Sequence, residues 1–304
     1  HPIPDAVAFA IRCEAGTIVQ TGDFKIDTTP IDGQMIDLAR FAEIGKEGVL
    51  CYLADSTNAE KVGYSASERT VGHAFETLFR MAGKRRIIVA TFASNIHRVQ
   101  QIINEAALNN RKVALSGRSL ENVIAVGQEL GYLDVPEGLI IPLDEINNYE
   151  PWQLLLVTTG SQGEPLSALS RIAFQDHRKV NISANDYVII SAKPIPGNEK
   201  SVSKVVNELM RHGAEVVYES MYDVHVSGHA CQEELKLMLA LVHPRYFIPV
   251  HGEQKHLSNH AMLANLMGMP SRDIIIPENG KTVEVCDGMF HENGMVPAGK
   301  VFVD

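Results

Sequence analysis

Between residues 87 and 242 one pattern occurs five times: a short aliphatic run rich in β-branched residues, a small polar loop, and then apolar residues at helical spacing. The runs 87–92, 113–115, 154–157, 187–190 and 216–218 read as strands, and 96–107, 123–130, 166–174, 202–210 and 233–242 as the helices that follow. The loops between them include Ser94-Asn95, Ser116-Gly-Arg-Ser119, Thr158-Thr-Gly-Ser-Gln-Gly-Glu-Pro165, Ser191-Ala-Lys-Pro-Ile-Pro-Gly197 and Ser227-Gly228. Repeated strand, loop and helix units predict a parallel sheet covered on both faces, which binds ligands at the carboxyl ends of its strands. Loops of Ser, Thr, Gly and Asn cap the next helix and offer backbone N–H groups to an anion, phosphate above all.

The flanks alternate differently. Residues 7–11 and 17–19 form a hairpin across Glu14-Ala-Gly16, 49–53 and 246–250 are further strands, and 273–277 is expected to pair with 282–285 across Glu278-Asn-Gly-Lys281. A sheet-rich domain interrupted by a parallel α/β block is the architecture these periods predict.

With 304 residues, 45% of them apolar, the chain can bury two cores. No apolar run approaches the roughly 18 residues of a membrane helix, and no secretory signal is visible, so no membrane partner is expected. Cys13, Cys51, Cys231 and Cys286 lie far apart without a C-x-x-C pair, which fits reduced thiols in a cytoplasm, each packed as a small hydrophobe. The first residue is His rather than Met, and 301–304 reads as a strand just entered, so an internal piece of a longer protein is expected. Net charge is −10, yet from Glu68 through Asp223 sixteen Lys and Arg face eighteen Asp and Glu. In that stretch Lys84, Arg85, Arg86, Arg98, Arg111, Lys112, Arg118, Lys193, Lys200 and Lys204 could line a groove for a polyanion or simply form a solvated face. No loop carries a P-loop, and no G-x-G-x-x-G opens a helix.

Chemistry concentrates in a few imidazoles and carboxylates. His225-Val-Ser-Gly-His229-Ala and Pro-Val-His251-Gly-Glu253 stand where strand-like runs break, while His1-Pro-Ile-Pro-Asp5 and Thr21-Gly-Asp23-Phe-Lys25 abut β segments at the other end. Two His and an Asp of metal-ligand type thus bracket the chain. His256 and His260, four apart on a helix, enclose no catalytic Glu, and His73, His177, His212, His243 and His291 read as surface or packing residues.

In their order, Gly22-Asp23-Phe24-Lys25, Ala54-Asp55-Ser-Thr-Asn58, Ser94-Asn-Ile-His97-Arg98, His225-Val-Ser-Gly-His229-Ala and Val250-His251-Gly-Glu253 resemble the metallo-β-lactamase-fold nucleases that carry a β-CASP insert. With Gly160-Ser-Gln-Gly-Glu-Pro165, the run resembles the ribonuclease J family over essentially the full chain. The resemblance implies an α/β chain, a partial metallo-β-lactamase-type αββα sandwich interrupted by a parallel α/β β-CASP domain. It implies metallo-β-lactamase segments at 1–66 and 225–288, the β-CASP domain at 67–224 and a linker or strand at 289–304. The implied activity is RNA phosphodiester hydrolysis with two Zn²⁺, Mn²⁺ being the alternative: 5′-to-3′ exonuclease action preferring 5′-monophosphate ends, plus endonuclease action, in RNA maturation and decay. A homo-oligomer of the longer protein, and other RNA-decay factors as partners, are implied as well.

Carried over by motif, His1, Asp23 and His251 are metal ligands, with Asp23 bridging, and Asp55, His97 and His229 are catalytic. Asp55 would orient a ligand or proton donor, and His229 would assist the leaving oxygen. Ser94, Asn95, His225, Val226, Ser227, Gly228 and His229 would hold substrate, the 225–229 turn presenting N–H groups at a helix start. Asp304 falls where a calcium ligand is placed. The family's H-x-H-x-D-H motif is not in this sequence, so the piece alone is expected to be inactive. Two other readings stand beside this one: a non-catalytic RNA-binding module, and a metallo-β-lactamase-fold hydrolase of a small ester.

Overall fold

The computed structural model describes residues 4–31, 33–195, 197–218, 221–286 and 289–299. His1 and Asp304, and the run 301–304, lie outside the described residues.

The chain opens with strands β1 (Phe9–Cys13) and β2 (Gly16–Gln20), an antiparallel hairpin in which Cys13 pairs with Gly16. Helix α1 (Leu38–Glu47) starts at Asp37, whose side chain accepts from the Arg40 backbone N–H, and buries Phe41 and Ile44. β3 (Cys51–Asp55) follows, then α2 (Arg69–Ala82), whose apolar stripe buries Val71, Phe75, Leu78 and Phe79. Each such side chain stabilises by about 1.5–3 kcal/mol, which outweighs the absence of a side-chain cap on α2.

The repeated units come next: β4 (Arg86–Thr91), α3 (Ile96–Leu108), β5 (Lys112–Ser116), α4 (Arg118–Glu129), β6 (Ile140–Ile141), β7 (Leu154–Thr158), α5 (Ala168–Ala173), β8 (Asp186–Ser191), α6 (Glu199–Arg211) and β9 (Glu215–Val217). They make a parallel sheet of order β6-β5-β7-β4-β8-β9. Ile87 and Val89 of β4 face a core shared with α2, α3 and α4, while Ile88 and Ala90 face a second core shared with α5 and α6. Being buried on both faces is why these strands read as continuous apolar runs rather than as an alternation. The chain leaves β4 toward β5 and leaves β8 toward β9, in opposite directions, so the sheet's switch point lies between β4 and β8.

The chain then returns through α7 (Gln232–Val242), β10 (Tyr246–Val250), α8 (Gln254–Leu266), β11 (Lys281–Cys286) and β12 (Met289–Met295). β10 pairs in parallel with β3, giving a second sheet of order β1-β2-β3-β10. α1 and α7 cover one face of it, crossing so closely that a Cβ on Gly45 would lie 2.1 Å from the Leu241 carbonyl. On the other face Tyr246 meets Phe290 of β12, ring centroids 4.2 Å apart.

Three expectations need correction. Residues 233–242 follow β9 in sequence, but Leu235, Met238 and Leu239 pack on the four-stranded sheet, so the last repeat is a strand of one domain followed by a helix of the other. β11 pairs with β12 instead of with 273–277; Ile274 makes only a bridge to Phe247. Four of the ten groove candidates are committed elsewhere. Arg86 binds Asp186, the Arg111 guanidinium donates to three carbonyls, Lys112 donates to the Gly138 carbonyl, and Arg85 pairs with Glu215. Arg86 and Lys112 begin their strands, at the end of the sheet opposite the ligand-binding one. Among the described residues no helix is long and apolar enough to cross a membrane.

Candidate metal centre

Register explains the site. Val250 pairs with Asp55 across β10 and β3, so His251 emerges just beyond the Asp55 carboxylate. Gln20 of β2 pairs with Leu53, so Thr21 and Asp23 emerge at the same end, and the Asp55 N–H donates to Thr21 Oγ1 at 3.2 Å. Three parallel strand ends therefore deliver Asp23, Asp55 and His251 to one place. His229 arrives from the loop before α7, where the Asn58 amide donates to Ser227 Oγ at 2.7 Å and to the His229 carbonyl at 2.8 Å. Glu234, fully buried, fastens the surroundings: it accepts from the backbone N–H groups of Ile26, Ser65 and Cys231.

One ligand-type atom from each of Asp23, Asp55, His229 and His251 lies within 4.8 Å of the others. His229 Nδ1 is 2.6 Å from Asp55 Oδ2, and His251 Nδ1 lies 3.1 Å from Asp23 Oδ1 and 3.2 Å from Asp55 Oδ1. Thr57 donates to Asp55 Oδ1 from both its N–H and its hydroxyl. Burial opposes charge on Asp55, yet the His229 hydrogen bond and charge and the Thr57 donors outweigh it and hold the carboxyl pKa at about 2. His251 has a left-handed backbone, φ +57°, a conformation that costs a non-glycine residue about 1–2 kcal/mol and aims the ring back at the carboxylates. Two imidazole nitrogens and two hard carboxylates converging this closely suit a divalent cation such as zinc.

Four residues before His229 in the chain, His225 Nδ1 accepts from Arg98 Nη1 at 2.9 Å. Burial first, then the charges of Arg98, Lys193, Lys61 and Lys25, push the His225 pKa down to about 3. His97 lines a cleft of about 470 Å³ together with Asp23, Lys25, Phe24 and Glu68.

Other sequence candidates are placed differently from expectation. Asn95 is buried and spends its side chain capping α3 by accepting from the Arg98 N–H, leaving Ser94 exposed beside it. Val226 packs into the core with Val224. The 225–229 turn does not open a helix: α7 begins at Gln232, and its first N–H groups already donate to the Lys61 and Gly63 carbonyls. His260 is fully buried, 3.0 Å from Ser56 Oγ, and His256 turns instead toward Glu60. Sequence reasoning missed the supports Thr57, Glu68 and Glu234, although the polar Ser-Thr-Asn run directly after Asp55 was a signal for the first.

The family model described as "Ribonuclease J, beta-CASP domain" matches residues 84–209, and that described as "Zn-dependent metallo-hydrolase RNA specificity domain" matches 213–277. Over the whole chain, ribonuclease J of Helicobacter pylori strain J99 is 48% identical and that of Thermus thermophilus 47%, the chain covering 44% and 53% of them. Ribonuclease J2 of Bacillus subtilis is 43% identical and covered to 54%. The chain thus spans about half the length of the curated relatives it matches. A crystal structure of a protein of unknown function from Enterococcus faecalis V583 superposes on 92% of this chain and 61% of its own, with TM-score 0.58 and 16% identity, a likeness of fold alone. Two adjoining domain matches and identity above 40% from end to end place this metallo-β-lactamase-type α/β chain, with its β-CASP insert, in the ribonuclease J family.

Proposed function

We propose that the longer protein to which this chain belongs is a metal-dependent ribonuclease that hydrolyses RNA phosphodiester bonds. It would act 5′-to-3′ on 5′-monophosphate ends and also internally, in RNA maturation and decay, as a cytoplasmic homo-oligomer. The observation that carries the reading is the convergence of Asp23, Asp55, His229 and His251 at three parallel strand ends, beside a cleft lined by His97.

Asp23 and His251 would hold divalent cations, zinc or manganese, together with His1 and ligands supplied by sequence beyond this chain. Bound there, such ions supply positive charge beside the scissile phosphate and acidify water. Asp55 stays ionised and holds His229 by its Nδ1, so that the imidazole can pass a proton to the leaving oxygen. His225, with Ser227 and Gly228, would meet RNA phosphates, as would Ser94 and the cleft-lining His97. By itself the chain is expected not to cleave RNA, and a calcium site at Asp304 remains part of the proposal.

The test is cleavage by the longer protein, loaded with zinc or manganese, of one RNA carrying a 5′-monophosphate or a 5′-triphosphate. Faster release of mononucleotides from the monophosphate is expected, with no release by this chain alone. No cleavage by the metal-loaded longer protein would overturn the proposal.

A further inference from the structure

Arg98 is completely buried, and its guanidinium is spent in three directions. Nε and Nη2 donate to the Glu68 carboxylate at 2.8 and 3.0 Å, while Nη1 donates to the Ser191 carbonyl at 2.9 Å and to His225 Nδ1 at 2.9 Å. Glu68 is itself fixed, its N–H donating to Asp27 Oδ2 and its carbonyl accepting from Gln101. A guanidinium has donors only, so the nitrogen it meets on His225 must be the one with the lone pair. The ring proton then sits on Nε2. Among the described residues no protein group accepts from that Nε2, although Lys25, Lys61, Lys193 and Arg98 all act on the ring. An N–H with no protein acceptor, set among cations, calls for an anion.

The contrast with Arg86 makes the point. Arg86 also forks onto a buried carboxylate, Asp186, but its Nη2 donates as well to the Asn181 carbonyl, as a staple between two segments would. A staple has no use for a histidine lone pair at the sheet's switch point.

We propose that Arg98, held by Glu68, is a positioning residue that fixes the tautomer of His225, so that the ring offers a permanent Nε2–H to a non-bridging phosphate oxygen of RNA. The proposal rests on the ribonuclease reading, and it assigns Glu68 and Arg98 a part in substrate affinity rather than in bond breaking.

The experiment uses the metal-loaded longer protein and measures kcat and KM on 5′-monophosphorylated RNA. A glutamine amide places its N–H near the position of His Nε2, an asparagine amide nearer to Nδ1, and leucine offers none. His225→Asn and His225→Leu are expected to raise KM about tenfold or more, the size of a lost hydrogen bond to a charged group, and His225→Gln clearly less. Replacing the buried pair by apolar residues of similar volume, Glu68→Met with Arg98→Met, is compatible with folding, which a melting curve checks. That double variant should raise KM about tenfold, and adding His225→Gln should recover most of the loss, because an amide needs no partner to set its proton. A folded double variant with unchanged KM, or a loss that His225→Gln does not recover, overturns the proposal. If the double variant does not fold, Arg98→Lys, which keeps one donor toward Nδ1, should cost less in KM than His225→Leu; an equal cost overturns the proposal. Failure of the wild type to cleave RNA defeats the ribonuclease reading instead. Nitrogen NMR of the histidine ring then reads the tautomer directly, and a proton on Nδ1 rejects the assignment.

Discussion

The two ends of the six-stranded sheet use the same residue types for different purposes. At the amino ends Arg86, Arg111 and Lys112 direct donors to Asp186 and to main-chain carbonyls, and burial lowers the Arg111 pKa to about 10. At the carboxyl ends Arg98 keeps one donor for an imidazole, and the neighbouring domain brings Asp55 and His229 close by. Satisfied groups stiffen; groups with a donor or acceptor left over can act. A buried charge is therefore diagnostic of function only once the destination of its last hydrogen bond is known.

Substitutions at the two ends should separate these roles. Asp55→Asn, which removes the charge that holds His229, should lower kcat of the longer protein about a thousandfold, measured by single-turnover RNA cleavage, with little change in melting temperature. Arg86→Met, leaving Asp186 buried without its partner, should cost about 3 kcal/mol in urea unfolding while the folded fraction retains its kcat. Equal loss of activity in both variants would erase the distinction. Gly163→Ala tests the loop after β7: with φ +71° and the Ser201–Val202 backbone 2.6–2.8 Å from the new Cβ, it should cost about 2 kcal/mol, read by the same unfolding.

Acid probes the other side. Burial holds His260 near pKa 3, against 6.5 for an ordinary imidazole, as it does His225. The unfolded chain therefore takes up protons first: stability is complete above pH 6.5 and falls toward pH 3 by up to about 1.4 kcal/mol per pH unit for each ring. His260→Leu should flatten that slope in denaturant midpoints taken from pH 7 to pH 5. Arg40→Ala, whose partners Glu43 and Glu47 are exposed, should shift the melting curve by no resolvable amount.

Much of the fold was legible because buried parallel strands are written as uninterrupted Ile, Val and Leu, as in 87–90 and 154–157. β6, a strand of only two residues, carries too little pattern to find. The partner of β11 was misassigned because 273–277 is as apolar as a strand, yet its role is to lie beside Phe247. In the site, Asp23 and His251 stood out by type and by position after a strand. The addition of Asp55 and His229 to their cluster depends on tertiary pairing, such as that of Asp55 with a histidine 196 positions away, which no local period encodes. Nor could composition reveal that Arg86, Arg98 and Arg111 are bound internally, since that requires knowing which end of the sheet each one occupies.

The parallel pairing of β3 with β10 also sets a timetable. Those strands can meet only after the whole intervening insert has been synthesised and has collapsed enough to bring its ends together, a closure whose entropic penalty grows with the length of chain enclosed. On the ribosome, β3 emerges with its docking edge bare and waits for a partner still to be translated. The cluster at the ends of β3 and β10 can thus form only after the insert, and premature termination inside the insert leaves an exposed strand liable to aggregate.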